Sequence, residues 1–154
     1  MCQAFKEIVK VNNKAQLLIA GNGEDENKIR KFINNNNLQN NIKLLGYIGN
    51  IYPYFKNSKC FILTSLWEDP GWVLVEAAFC RTPVITSDAW PGPTELIKDN
   101  FNGLVFKNNV LNSFLKKFKN FEDHNEIDKL KLQNLNLSKK FTVFSHYKSL
   151  SEIL

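Results

Sequence analysis

Five short runs of this chain, Ala15 to Ala20, Ile42 to Leu45, Cys60 to Thr64, Val84 to Ser87 and Gly103 to Phe106, are apolar on mostly consecutive residues instead of alternate ones. A strand that is apolar on both faces needs cover on both faces, which is the condition of a parallel sheet flanked by helices. The stretches between the runs have helical periodicity: 2–11, 25–34, 51–57, 72–80 and a short 94–98. Beyond residue 106 the pattern is helical. The expected fold is therefore α/β, a doubly wound parallel sheet of the Rossmann-like kind. We expect one such domain over residues 1–121, with a helical extension, 122–154, packing on it.

In doubly wound sheets, ligands bind beyond the carboxyl ends of the strands. Gly21 follows the first run, Tyr47 the second, Glu68 the third and Ala89 to Gly92 the fourth, so four loops are expected along one edge. The third loop carries the most chemistry. In Ser65-Leu-Trp-Glu68-Asp-Pro-Gly-Trp-Val-Leu-Val-Glu76, two glutamates flank a Pro-Gly break, one before a predicted helix and one within it. The first backbone N–H groups of a helix have no partner inside it, and they bind phosphate without any charged side chain.

Composition removes several classes. The 154 residues, 44% hydrophobic and 12% aromatic, are enough for the core of one ordinary domain, and no run of 18 apolar residues exists to cross a membrane. The start, Met1 to Lys10, reads as an amphipathic helix and not a signal peptide, so a cytoplasmic location is expected. Cys2, Cys60 and Cys80 have no metal-like spacing and read as reduced thiols. The net charge of +5 is concentrated in residues 107–154, with nine lysines against five acids. Only Arg30 and Arg81 supply guanidinium groups, which argues against nucleic acid as a partner. The lysines read first as a solvated helical surface, and second as a peripheral contact with an anionic membrane.

The order Leu17-Leu-Ile-Ala-Gly-Asn-Gly23, Ile42-Lys-Leu-Leu-Gly46-Tyr, Ser65-x2-Glu68-x7-Glu76-Ala, Pro83-Val-Ile and Gly92-x2-Glu95 resembles the nucleotide-sugar-binding half of retaining glycosyltransferases with the GT-B fold, family 4. Either Gly-x-Gly or Glu-x7-Glu alone would be weak. The ordered set makes the resemblance specific, over about residues 5–120.

The resemblance implies a role for each matching position. Glu68 corresponds to the glutamate that contacts donor-sugar hydroxyls, and Glu76 to the one that grips the ribose. A carboxylate accepts hydrogen bonds from two vicinal hydroxyls and so orients a sugar well. Gly71, Trp72 and Val73 would offer backbone amides to the diphosphate, Tyr47 would lie at the base, and Gly21 would be a further donor-binding position, although a glycine there reads first as a turn residue. Pro91, Gly92 and Glu95 would belong to a loop closing over the donor. The implied reaction moves a sugar from a nucleotide-sugar to a glycan or lipid-linked acceptor with retention, as in surface polysaccharide synthesis. With no Asp-x-Asp motif, no metal or other cofactor is expected. Amides would stabilise the leaving diphosphate, an effect of about 3 kcal/mol per donor.

Two departures limit what is implied. The acceptor domain, which in the family comes first, and the family's basic residues for the diphosphate are expected to lie outside these residues, so the chain alone is expected to bind donor weakly with little or no turnover. Arg81 stands where the family usually has glycine before Thr-Pro. A non-catalytic binding or interaction module of the same fold is the alternative. A signalling receiver is a third reading, in which Asp88 would be the phosphoacceptor, but it lacks an acidic cluster beside it. Glu24-Asp25-Glu26 reads as first-turn helix acids, Trp67 and Trp90 as residues packing against the core or a missing partner, and His124 and His146 as ordinary surface or packing residues.

Overall fold

The computed structural model describes residues 1–123, 125 and 127–152. It separates into two compact units, Met1–Ile51 and Tyr52–Leu154.

The first unit is a helix–strand pair repeated once. Helix α1 (Cys2–Val11) buries Ala4, Phe5 and Ile8, one face at helical spacing, and packs on α2 (Glu26–Asn35). Strands β1 (Leu17–Ala20) and β2 (Ile42–Gly46) run parallel, with Leu17 opposite Ile42. The acids at the start of α2 behave as helix-end charges: Asp25 pairs with Lys28 and Glu26 with Arg30.

The second unit holds α3 (Tyr52–Asn57), β3 (Phe61–Leu63), β4 (Trp67–Glu68), α4 (Trp72–Phe79), β5 (Val84–Ser87), β6 (Trp90–Pro91), α5 (Pro93–Leu96), β7 (Leu104–Phe106), α6 (Leu111–Glu122), α7 (Ile127–Ser138), a 3-10 turn (Lys139–Phe141) and α8 (Val143–Ser151). Its parallel three-stranded sheet has the order β3-β5-β7, and every residue of the central strand β5 is buried. Leu74, Ala77 and Ala78 of α4 and Phe114 and Phe121 of α6 are buried with β5 and β7, and Phe106 meets Phe114 edge-on at 5.2 Å. Burial of each such phenylalanine is worth about 1.5–3 kcal/mol. Helix α7 runs along α4.

The α/β class with parallel strands and intervening helices is as the sequence predicts, and so are the five strand runs to within two residues at an end. Strands β4 and β6 are new. At two residues each they carry no readable period, yet they pair in parallel, Trp67 opposite Trp90 and Glu68 opposite Pro91. Neither tryptophan joins a core: Trp67 is 67% and Trp90 77% exposed. His146 lies on α8, and His124 falls outside the described residues. No helix among the described residues is long and apolar enough to cross a membrane.

Candidate functional site

The segment from β3 to α4 is built by strand exit, turn and helix start in quick succession. Ser65 leaves the sheet edge, and its carbonyl accepts a 2.8 Å bond from the Ser87 hydroxyl at the end of the neighbouring strand. Asn108, beyond β7, donates through its amide to the carbonyl of Leu66 at 3.0 Å, and its own N–H goes to the Asp88 carboxylate. The ends of β5 and β7 are thereby tied to residues 65–66, which follow β3. The Ser65 hydroxyl then donates to Glu68 Oε2 at 2.7 Å, which fixes one carboxylate oxygen of a half-buried side chain. Asp88, with its carboxylate engaged in this bracing, serves the architecture of the strand ends.

Helix α4 starts without a side-chain cap. Its N-cap is Gly71 in the left-handed conformation, φ 82 and ψ 55, which other L-residues disfavour. The Leu74 N–H folds back to the Gly71 carbonyl at 2.9 Å, whereas among the described residues no side chain takes the N–H groups of Trp72 or Val73. A Cβ on Gly71 would stand 3.0 Å from Glu68 Cγ, so the Glu68 side chain lies directly against the helix start. Glu76 is the single charged residue of α4, half-buried and one turn along from the exposed Trp72. Trp72 in turn meets Phe141 of the 3-10 turn edge-on at 5.4 Å.

Gly92 is placed differently from the closing loop expected of it. It is buried, its N–H donates to the Glu68 carbonyl at 3.0 Å, and a Cβ there would come within 2.6 Å of the Pro70 carbonyl oxygen. Residues 90–92 are fastened to residues 67–70 by the β4-β6 pairing and by this contact, because the backbone approach leaves no room for a side chain. Glu95 is exposed in the first turn of α5.

Glu68, Gly71, Trp72, Val73, Glu76 and Gly92 thus lie in one continuous neighbourhood of the second unit. Gly21 and Tyr47 belong to the first unit, where they share an edge: the Gly21 N–H donates to the Gly46 carbonyl at 2.7 Å and Tyr47, 80% exposed, follows. Ser87 and Asn108 escape sequence reading, and Ser65 is legible only as the first position of its motif, because hydroxyls and amides at strand ends are common and only the fold selects their partners. Among the described residues, no three His, Cys, Asp or Glu side chains gather so as to hold a metal ion.

Comparison with known proteins gives the same answer by sequence and by fold. The sequence profile of the family described as glycosyl transferases group 1 matches residues 1–146. An uncharacterised glycosyltransferase of Methanocaldococcus jannaschii is 38% identical over 66% of this chain and 25% of its own length. The poly(ribitol-phosphate) alpha-N-acetylglucosaminyltransferase of Staphylococcus aureus is 33% identical over 71% of this chain and 22% of its own. The poly(glycerol-phosphate) alpha-glucosyltransferase of Bacillus subtilis is 39% identical over 68% and 16%. The chain therefore spans a quarter or less of these relatives. Among solved structures, a mutant TarM of S. aureus with fondaparinux, alpha-GlcNAc-glycerol and UDP superposes at a TM-score of 0.87 and 25% identity, over 98% of this chain and 31% of that one. HepE of Anabaena with UDP-glucose superposes at 0.84 and 21% identity, over 99% and 43%, a likeness of fold.

Proposed function

The chain belongs to the glycosyl transferases group 1 family, and on that basis we propose that it forms the nucleotide-sugar-binding half of a retaining glycosyltransferase. The observation that carries the reading is the contact of the Glu68 side chain with the uncapped start of α4, where a Cβ on Gly71 would stand 3.0 Å from Glu68 Cγ. A carboxylate that orients sugar hydroxyls and amides that receive a diphosphate are needed next to each other at the two ends of the bond that breaks.

As the bond from the anomeric carbon to the diphosphate lengthens, negative charge grows on the leaving oxygens. The N–H groups of Trp72 and Val73 meet that charge, aided by the positive end of the α4 dipole. Glu68, held by Ser65, keeps the sugar hydroxyls in register, and Glu76 grips the ribose. Gly92 fixes the Glu68 backbone. Glu95 contributes from α5. No metal takes part. The acceptor, a glycan or lipid-linked sugar in surface polysaccharide synthesis, would be held by a separate domain, so that the chain alone binds donor with little or no turnover. The relatives named for poly(ribitol-phosphate) and poly(glycerol-phosphate) support this class of product.

The proposed location is cytoplasmic, at the inner face of the membrane. Val143, Phe144 and Tyr147 of α8 are exposed beside Lys139, Lys140 and Lys148, a pattern suited to an anionic bilayer. Co-sedimentation with anionic but not neutral vesicles, lost in Phe144→Ser, tests that contact.

Calorimetric titration of the chain with UDP, UDP-sugars and GDP-sugars, in the presence of a chelator, tests the site. Binding that prefers one nucleotide and weakens in Glu76→Ala is expected. The absence of any nucleotide preference, with a variant indistinguishable from wild type, would sink the assignment. If nucleotide binds but the chain joined to an acceptor domain shows no transfer, a non-catalytic nucleotide-sugar module of the same fold is the better reading.

A further inference from the structure

A cavity of about 270 Å³ opens at the amino-terminal ends of β3 and β5, the end of these parallel strands opposite to Glu68. Its walls include Phe55 and Lys56 of α3, Lys59 before β3, Arg81 between α4 and β5, Phe121 of α6 and Lys131 of α7. Two of the four cations are already engaged. Lys59 binds Glu122 at 3.2 Å with its ammonium 5.9 Å from the Phe121 ring, and Lys131 binds Asp128 at 2.9 Å. Among the described residues, Lys56 and Arg81 have no carboxylate partner.

Arg81 is also held in an uncommon backbone state. Helix α4 ends with the Thr82 N–H on the Ala77 carbonyl and the Arg81 N–H on the Ala78 carbonyl, the pair of bonds that makes a Schellman turn. The residue at its left-handed position is ordinarily glycine, and here it is Arg81 with φ 57. Thr82 then locks the turn to α3 through a 2.8 Å bond from its hydroxyl to the Phe55 carbonyl. A long cationic side chain therefore occupies a position where glycine would be unstrained, and it borders a cavity with aromatic walls. Strain of this sort is a pointer to function when a site lies beside it.

We propose that this cavity binds a phosphate monoester with a small apolar or aromatic substituent. Arg81 and Lys56 receive the phosphoryl oxygens, and the substituent rests over the small part of Phe55 and Phe121 that reaches the cavity from the core. A phosphomonoester carries close to two negative charges at neutral pH, which matches the two uncommitted cations, and the guanidinium fork suits two of its oxygens at once. The cations are solvent-exposed, so binding weakens with added salt. The site is separate from Glu68 and the start of α4, which lie at the opposite ends of the strands, and Glu76 is the one proposed donor contact on the half of α4 that leads to this cavity.

Titration of the isotope-labelled chain with phenyl phosphate, followed by amide NMR shifts, tests the site. Saturable shifts are expected at Lys59, Arg81 and Thr82 with saturating UDP present, weaker ones with inorganic phosphate and none with phenol. Arg81→Gly relieves the left-handed strain and so folds at least as well as wild type, yet its dissociation constant for phenyl phosphate should rise about tenfold. Lys56→Ser should act in the same direction. The proposal is overturned if the shifts are absent up to the solubility limit of the ligand, if they fall at Gly71 to Val73 instead, or if Arg81→Gly and Lys56→Ser bind as wild type does. Failure of UDP to bind would leave these readouts intact and would count against the donor site alone.

Discussion

The Ser65 hydroxyl donates to Glu68 Oε2 at 2.7 Å across a two-residue gap, and Ser65 is itself anchored through its carbonyl by the Ser87 hydroxyl. A carboxylate held at one oxygen has its other oxygen and remaining lone pairs presented in a fixed direction. Ser65→Ala should leave the fold intact and free the Glu68 side chain to rotate. The net value of such a bond, about 1 kcal/mol, translates to roughly fivefold weaker binding of a UDP-sugar. Affinity for UDP itself should not change, because the proposed contact is to the sugar. Equal weakening of both ligands would show that Ser65 acts on the loop as a whole.

Gly71 and Gly92 are glycines for different reasons, and alanine at each should show it. Gly71 has φ 82, whereas Gly92 has φ −79 and no conformational need for glycine. At Gly71 the expected cost is about 1–2 kcal/mol of backbone strain, and the new methyl also presses on Glu68 Cγ, a side-chain atom that is able to move. At Gly92 the methyl meets the Pro70 backbone at 2.6 Å, and the β4-β6 pairing resists the shift. Gly92→Ala should therefore destabilise more, by roughly 3 kcal/mol. Urea midpoints of the two variants check the order; a smaller effect at Gly92 would show that the 67–70 and 90–92 segments separate easily.

The strands were legible because β5 and its neighbours are apolar on consecutive residues, a pattern few other structures tolerate. The meeting of Glu68 with a helix start was legible from Pro70-Gly71, which stops one element and begins the next. What the chain did not reveal depends on distant partners. Trp67-Glu68 and Trp90-Pro91 become strands only because β3 and β5 bring them side by side, and Gly92, expected in a closing loop, is fixed because Pro70 crosses it. The Ser65 hydroxyl acquires its meaning from a turn that no local pattern specifies.

Asn134 shows the same limit in the core. It lies between Leu130 and Ser138 on the buried face of α7, is 0% exposed, and among the described residues finds no hydrogen-bond partner for either side-chain polar atom. A buried polar group left unpaired costs about 1–3 kcal/mol. Asn134→Leu, similar in branching and apolar, should raise stability by about 1 kcal/mol in urea unfolding. A clear loss of stability would mean that the amide is satisfied by a bound water or that the seam between α7 and α4 has no room.

Cys60, just ahead of β3, carries the clearest pH signature. Although the residue as a whole is half-buried, desolvation of its thiol pushes the pKa up to about 12 from an ordinary value of 9.0; Lys59 opposes the shift and Glu122 adds to it. Because the folded value lies above the unfolded one, the native state keeps the proton where the unfolded chain has lost it. The stabilisation is whole below pH 9 and is lost as the pH rises toward 12, at about 1.4 kcal/mol per pH unit. The quantity to compare is the slope of wild type against Cys60→Ala. Chemical unfolding between pH 8 and 11 should show the wild type losing stability more steeply, with the two chains parallel below pH 9. Parallel curves throughout would mean that the thiol reaches water in the folded state, and native Cys60 would then react with iodoacetamide as fast as it does in urea.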